Sequence, residues 1–122
     1  MIDIQKYDEN NIFSKILNKE LPSTPLYEDD YVYAFEDINP QAPIHVLIIP
    51  KGKFCSLKDF SSEADDITIL KLFKSIDKIA NKLNLHDGYR IISNIGNNGG
   101  QEVPHFHIHL LAGKKMGRLA SA

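Results

Sequence analysis

Near the end of the chain, the sequence His105-Phe106-His107-Ile108-His109-Leu110-Leu111 places a histidine at every second position. In a β-strand, successive side chains point to opposite faces, so the three imidazoles would share one face and the apolar residues the other. Only five histidines occur in the chain, which makes such clustering unlikely by chance. Because imidazole titrates near neutral pH, the row is suited to proton transfer, nucleophilic attack or metal binding.

Patterns upstream of the histidines predict an α+β fold. Apolar residues at helical spacing indicate a short helix over about 12–18 and a long one capped by Ser62 and Asp65 that ends near Asn84. The histidine stretch is expected to form a strand, as are residues 24–28, 31–36, 44–49 and 89–93. Short connections favour antiparallel pairing. We therefore predict a five-stranded antiparallel sheet with one long and one short helix.

Length and composition indicate one domain over residues 1–122, with an N-terminal extension of about 1–10 and a C-terminal tail of about 113–122. The net charge of −2 argues against a general affinity for nucleic acid. A single cysteine excludes an intrachain disulfide. The longest apolar run, Val46 to Ile49, is too short to cross a membrane, and the polar N-terminus lacks a secretory pattern. We expect a cytoplasmic protein without membrane or nucleic-acid partners.

A loop rich in glycine and asparagine precedes the histidines, over residues 94–100. Glycines let backbone N–H groups approach a ligand closely and form a nest for an anion. A phosphate held there would lie beside the imidazoles. The alternative is a flexible hairpin connection, but the neighbouring histidines favour the phosphate interpretation.

The histidine stretch matches the pattern His-φ-His-φ-His-φ-φ, with φ apolar, and resembles the histidine-triad (HIT) superfamily. Further segments resemble its nucleotide-binding HINT branch, and they follow the family's order over nearly the whole chain. These segments are Ile12-Phe13, Tyr27 to Asp30, Ala34 to His45, Ile48 to Lys51 and Gly99-Gly100-Gln101.

The resemblance implies a hydrolase that cleaves the P–N bond of purine nucleoside 5′-phosphoramidates, of the adenosine 5′-monophosphoramidate type, to AMP and an amine. By analogy, His107 is the nucleophile that forms a nucleotidyl-histidine, and the backbone carbonyl of His105 orients it. His45 and His109 would flank the phosphate, either protonated or as N–H donors. No metal and no cofactor are implied for this reaction.

The resemblance also implies the nucleotide contacts. Asp37 matches the ribose-binding carboxylate, and Asn94, Gly100 and Gln101 match the phosphate loop. Glu102 stands where animal members carry a serine near the leaving amine. The apolar slot for the base would consist of Ile12, Phe13, Ile16, Phe35, Ile38 and Leu47.

Other interpretations of these residues stay open from the sequence. The three histidines could bind a metal together with His45, Asp37 or Glu102. His45 could instead be a core residue and Asp37 a turn former, and the slot residues could simply be core. Within the superfamily, the rival activity is diadenosine polyphosphate hydrolysis; outside enzymes, it is a non-catalytic nucleotide-binding scaffold.

One departure concerns zinc. Some relatives carry Cys-x-x-Cys near the start and bind structural zinc, whereas this chain reads Asn11-Ile12-Phe13-Ser14. We therefore expect no zinc site of that kind.

A homodimer is expected, with the sheet continued across a two-fold axis. The strand over 89–93 lacks proline and carries one charge, so it is a poorly protected edge. The long helix would contribute an apolar stripe to the same interface, formed by Ile69, Leu72, Phe73 and Ile76. By the resemblance, the tail Arg118 to Ala122 would lie near the partner's site.

Overall fold

A computed structural model describes residues 1–120 and confirms the α+β class. Within this range, three helices accompany a five-stranded antiparallel sheet whose strand order is β1-β2-β3-β5-β4. None of these helices is long and apolar enough to span a membrane. In chain order the elements are α1 (Ile12–Leu17), β1 (Tyr27–Glu28), β2 (Val32–Glu36), β3 (Ile44–Pro50), α2 (Leu57–Glu63), α3 (Asp66–Lys82), β4 (Arg90–Ile92) and β5 (Ile108–Ala112).

The predicted long helix is present as α3, but a further short helix, α2, which was not predicted, precedes it. Asp65 caps α3 as predicted, with its side chain accepting a hydrogen bond from the Thr68 N–H. Ser62 is not a cap; it lies inside α2, where its hydroxyl donates to the Lys58 carbonyl. The missed signal is the capping box of Ser56 and Asp59, which starts α2. The chain therefore has one long and two short helices.

The two faces of the sheet have different neighbours. One face packs against α3 through a buried cluster that includes Ile48, Leu72 and Ile79. The other face carries a smaller cluster around Phe35 and Ile49, which α1 covers with Phe13. This second face also carries the histidines, because Leu47 pairs directly with His109 in the β3–β5 register. Residues at alternating positions share a face, so His45 lies beside them.

Several elements are shorter than predicted, among them β1, β4 and β5. The first strand covers Tyr27–Glu28 rather than 24–28, and β4 covers Arg90–Ile92 rather than 89–93. The histidine strand β5 begins at Ile108, so His105 and His107 precede it. The ladder with β3 reaches its last register pair at Ile48 and Ile108. The backbone at the first two histidines is therefore not held by strand pairing.

The strand that was predicted to pair across the dimer lies at the edge of the sheet, but the helix stripe differs from the prediction. β4 lies at one end of the sheet, and Ile91 is 40% exposed. On α3, Leu72 and Ile76 are buried in the core of the same chain, whereas Phe73 is 54% exposed. An interface would thus use the outward side of α3.

The tail is partly described. The Arg90 guanidinium of the same chain donates to the carbonyls of Gly117 and Arg118. Ser121 and Ala122, which belong to the tail predicted to reach the partner, lie outside the described residues.

The homodimer remains a prediction. In sedimentation equilibrium at micromolar concentration, we expect about twice the mass of one chain, because pairing at β4 would bury Ile91 and Phe73 together. Ile91→Lys should give monomers, since it puts a charge into the paired edge. The matched control is Leu21→Lys, an exposed apolar residue after α1. A wild-type monomer, or an Ile91→Lys dimer, would contradict this interface.

Candidate active site

Three histidines meet in one cleft. The ring centroids of His107 and His109 are 5.0 Å apart, and those of His109 and His45 are 5.1 Å apart. His105 is different, because its side chain is fully buried outside the cleft. Two histidines of the row thus line the cleft, and β3 supplies the third.

Hydrogen bonds assign the tautomers of His45 and His109. The backbone N–H of Gln41 donates to Nδ1 of His45 at 3.0 Å, so the proton of the neutral His45 ring is on Nε2. That Nε2–H donates to Nδ1 of His109 at 2.9 Å. The remaining proton of His109 is therefore on Nε2. Gln41, His45 and His109 thus form a chain of hydrogen bonds, here called the relay. It ends in the Nε2–H of His109, which donates to no acceptor among the described residues.

His107 is the opposite tautomer, with its ring proton on Nδ1. Its Nδ1–H donates to the backbone carbonyl of His105 at 2.7 Å, and a carbonyl can only accept. Nε2 of His107 consequently keeps its lone pair. The ring is held from the side by Phe13, which stands edge-on at a centroid distance of 5.0 Å. The cleft therefore contains one imidazole with a free lone pair and, beside it, one with a free N–H.

Burial makes the neutral forms dominant at pH 7. Loss of hydration lowers the pKa of His107, although the His105 carbonyl and the charges of Asp37 and Glu102 oppose the shift. Burial, reinforced by the neighbouring His107 and His45, lowers the pKa of His109 to about 4. Burial lowers the pKa of His45 as well, against the attraction of Asp37. Of the two options left open by the sequence, these directions favour N–H donors over cations.

The cleft has a volume of about 390 Å³, within the range of small-molecule sites. Several expected residues line it, together with Asn39, Gln41 and Val103, which the sequence analysis did not identify. The expected lining residues are Phe13, Asp37, His45, Leu47, Asn94, Gly100, Glu102, His107 and His109.

The Asp37 side chain stabilises a turn and also lines the cleft. Its Oδ1 accepts the backbone N–H of Asn39 at 2.8 Å, as a turn former does. Its Oδ2 is 3.5 Å from Nε2 of His45. One carboxylate oxygen is thus engaged by the backbone, while the other borders the cleft.

Gln101 organises the glycine loop from within. Its buried side chain donates to the carbonyls of Cys55 and Val103 and accepts the backbone N–H of Gly96. It is not among the residues that line the cleft, unlike the preceding Gly100, whose φ of 77° suits glycine. The side chain of Gln101 therefore shapes the loop rather than the cleft wall.

The predicted apolar slot is divided. Phe13 and Leu47 line the cleft, whereas Ile16, Phe35 and Ile38 line a second groove with the segment Pro22 to Leu26. Asp37 lies in sequence between Glu36 and Ile38 of this groove. Ile12 lines neither surface and is 54% exposed, so the structure separates it from the other slot residues.

A metal could be considered at Asp37, His45 and His109, whose potential ligand atoms lie within 4.8 Å of one another. Coordination through Nε2 of His45 would move the ring proton to Nδ1, and the N–H of Gln41 would lose its acceptor. Coordination through Nδ1 of His109 would also displace the donor from His45. The hydrogen bonds of these residues therefore favour the relay over a bound cation.

Comparison with known proteins identifies the family. The model of the HIT domain matches residues 18–116. The chain belongs to the HIT family. Among its HIT relatives, the purine nucleoside phosphoramidase of Escherichia coli strain K12 is 46% identical over 110 residues, which cover 89% of this chain and 92% of the relative. A 14 kDa zinc-binding protein of Zea mays is 48% identical, covering 89% of this chain and 86% of that protein.

Solved HIT structures agree with the fold. A histidine triad protein from Clostridium difficile superposes with a TM-score of 0.84 at 45% identity, covering 94% of this chain and 100% of that one. A HIT family hydrolase from Clostridium thermocellum gives 0.83 at 46% identity, with 91% and 96% covered.

The structural zinc expected in some relatives does not fit the residues of this chain. Asn11 caps α1 by accepting the Ser14 N–H on Oδ1, and its Nδ2 donates to the Asp8 carbonyl. Neither Asn11 nor Ser14 offers the thiolate that a zinc site of the Cys-x-x-Cys kind requires. The side chain of Asn11 is engaged in capping the helix.

The depressed histidine pKa values predict that the fold loses stability in mild acid. The pKa of His105 and His109 is about 4 in the folded protein and 6.5 in the unfolded chain. At a pH between these values, the two histidines are protonated in the unfolded chain and neutral in the folded protein. The free energy of unfolding should therefore fall as pH drops from 7 to 5. The slope should approach about 1.4 kcal/mol per pH unit for the buried His105 and be smaller for His109, which water screens in part.

Urea unfolding at pH 7, 6 and 5 measures this slope. His109→Gln should reduce it, and the same change at the exposed His86 is the matched control. A free energy of unfolding that stays constant between pH 7 and 5 would contradict the prediction.

Proposed function

We propose that this HIT protein hydrolyses the P–N bond of purine nucleoside 5′-phosphoramidates, of the adenosine type, and releases AMP and an amine. The observation that carries the proposal is the polarity of the two adjacent imidazoles. His107 has its Nδ1–H bound to the His105 carbonyl and a free lone pair on Nε2, beside the free Nε2–H of His109. A nucleophile next to a neutral donor suits attack on an anionic phosphorus centre.

The reaction would proceed in two displacements. Nε2 of His107 attacks the α-phosphorus, the bond to the amine nitrogen breaks, and the amine leaves with a proton taken from water. Water then attacks the phosphorus, the P–Nε2 bond breaks, AMP departs and a proton is released to the solvent. Neutral imidazole needs no deprotonation before it attacks, and the lowered pKa keeps His107 in that form.

The remaining cleft residues would bind the charged and polar parts of the nucleotide. The Nε2–H of His109, backed by His45, would donate to a phosphoryl oxygen as negative charge accumulates. Asn94 and the backbone at Gly100 would hold the phosphate from the other wall of the cleft. Oδ2 of Asp37 would accept from the ribose hydroxyls.

The groove of Ile16, Phe35 and Ile38 would receive the purine. Its apolar lining suits an aromatic ring, and it offers little to distinguish one purine from another. Support for this choice of nucleotide comes from the E. coli relative, which is described as a purine nucleoside phosphoramidase.

The first test compares turnover of adenosine 5′-monophosphoramidate and of a diadenosine polyphosphate by the purified protein, with and without a chelator. Faster turnover of the phosphoramidate, unaffected by the chelator, supports the proposal. Preference for the dinucleotide would replace it with the rival activity, and nucleotide binding without turnover would favour a scaffold.

His107→Ala should lower phosphoramidate turnover by at least about 10⁴-fold, because the covalent nucleophile is lost. The affinity for AMP should change far less, since the ribose and base contacts stay. Mass spectrometry of the quenched wild-type reaction should find a nucleotidyl group on His107. His86→Ala, on an exposed residue, is the control, and an adduct on His109 would refute the assignment.

Asp37→Asn should weaken binding of ribonucleotides more than that of 2′-deoxyribonucleotides. The amide oxygen can still accept the Asn39 N–H, so the turn is kept while the charged acceptor is lost. Removing one charged hydrogen bond reduces binding by about 1–3 kcal/mol. Titration calorimetry with AMP and 2′-dAMP measures the difference. If Asp37→Asn discriminates against 2′-dAMP as strongly as the wild type, Asp37 is a turn residue alone.

A further inference from the structure

The first histidine of the row has a partner that lies far away in the sequence. Nδ1 of His105 is 2.6 Å from the hydroxyl of Tyr7, and Nε2 is 2.9 Å from the carbonyl of Pro50. Because that carbonyl can only accept, the ring proton is on Nε2, and the neutral ring accepts the Tyr7 O–H on Nδ1. Both nitrogens of a fully buried ring are thus occupied.

The backbone at His105 needs such an anchor. The ladder between β3 and β5 has its last pair at Ile108, three residues beyond His105. The segment before it is held by the Phe106 N–H, which donates to the Phe54 carbonyl at 2.8 Å, and by the ring of His105. The ring therefore helps to orient the same residue's carbonyl, and this carbonyl accepts Nδ1–H of His107.

Tyr7 is itself tied down by the residues around it. The backbone N–H of Ile2 donates to Oδ1 of Asn97 in the glycine loop at 2.8 Å. Glu9 forms an ion pair with Lys53, just after β3. The Tyr7 ring also stands edge-on to His105, with centroids 5.5 Å apart. Contacts before and after Tyr7 in the chain thus hold its phenol against His105.

We propose that Tyr7 is a positioning residue for the nucleophile, acting through the connected contacts Tyr7 O–H to His105 and His105 carbonyl to His107. This inference rests on the proposed function for its kinetic consequence. Tyr7 does not line the cleft, so it acts on the orientation of His107 and not on substrate binding. A small misorientation of a reacting group slows the chemical step more than it weakens binding.

The kinetic test uses Tyr7→Phe, which keeps the ring and removes the hydroxyl alone. We expect kcat for adenosine 5′-monophosphoramidate to fall about 10-fold with KM nearly unchanged, because the reacting geometry is loosened while the cleft is intact. The matched control is Tyr27→Phe, which removes another hydroxyl with a single close carboxylate partner, Asp29, at 2.7 Å. The control should keep the wild-type kcat.

A spectroscopic test does not depend on turnover. In the wild-type protein, ¹⁵N NMR of the imidazoles should show His105 protonated on Nε2 with Nδ1 as a hydrogen-bonded acceptor. In Tyr7→Phe, the Nδ1 signal of His105 should move towards that of a free acceptor, and the Nδ1–H of His107 should exchange faster with water. The wild-type spectrum tests the contact even if Tyr7→Phe does not fold.

The outcomes separate the two proposals. Unchanged kcat in Tyr7→Phe, with normal wild-type turnover, overturns the positioning role and leaves the proposed function intact. An Nδ1–H tautomer of His105 overturns the contact itself. If the wild type fails to hydrolyse the phosphoramidate, the proposed function is wrong, and unchanged exchange of the His107 Nδ1–H in Tyr7→Phe would then also refute positioning.

Discussion

The hydrogen bond from Nδ1 of His107 to the carbonyl of His105 is the interaction on which the chemistry proposed for the cleft depends. It commits the proton of His107 to the side away from the cleft and leaves the lone pair on Nε2. Without it, the neutral ring could adopt either tautomer, and part of the protein would present an N–H where the proposed reaction requires a nucleophile. The bond joins residues two apart, yet its acceptor is positioned by contacts from distant parts of the chain.

The sheet positions the histidines because one of its faces forms the apolar core and the other carries the cleft. Side chains of β3 and β5 that face α3 form a buried apolar core, and this core sets the register of the strands. The same register places Leu47 opposite His109 on the other face and brings His45 beside it. A slip of one residue would move the histidines into the core face, so the apolar packing also protects the site.

Burial explains why the histidines act as neutral groups. Each imidazole loses water around it, and the neighbouring rings repel a further positive charge, which lowers the pKa of His109 to about 4. The hydrogen-bonded relay from Gln41 through His45 to His109 then fixes the position of the ring protons without adding a net charge. Two neutral imidazoles can lie in contact, whereas two imidazolium rings would repel each other.

Local patterns in the sequence determined a large part of this protein: the alternation around β5, the cap at Asp65, the antiparallel α+β sheet and the membership of the HIT family. These features depend on residues close together in the chain or on motifs in a fixed order. The capping box of Ser56 and Asp59 is equally local, and it starts α2, a helix that the prediction does not contain. Tertiary structure alone decided the tautomers of the histidines and the partners of their rings. Local sequence patterns leave both tautomers of a histidine equivalent, and hydrogen-bond partners far apart in sequence select one of them. Tyr7 meets His105 across 98 positions and His45 meets His109 across 64. The carbonyl of Pro50, 55 positions before His105, assigns the proton of that ring to Nε2. The exposed Ile12 and the buried Gln101 were likewise set by how α1 and the glycine loop pack against the sheet.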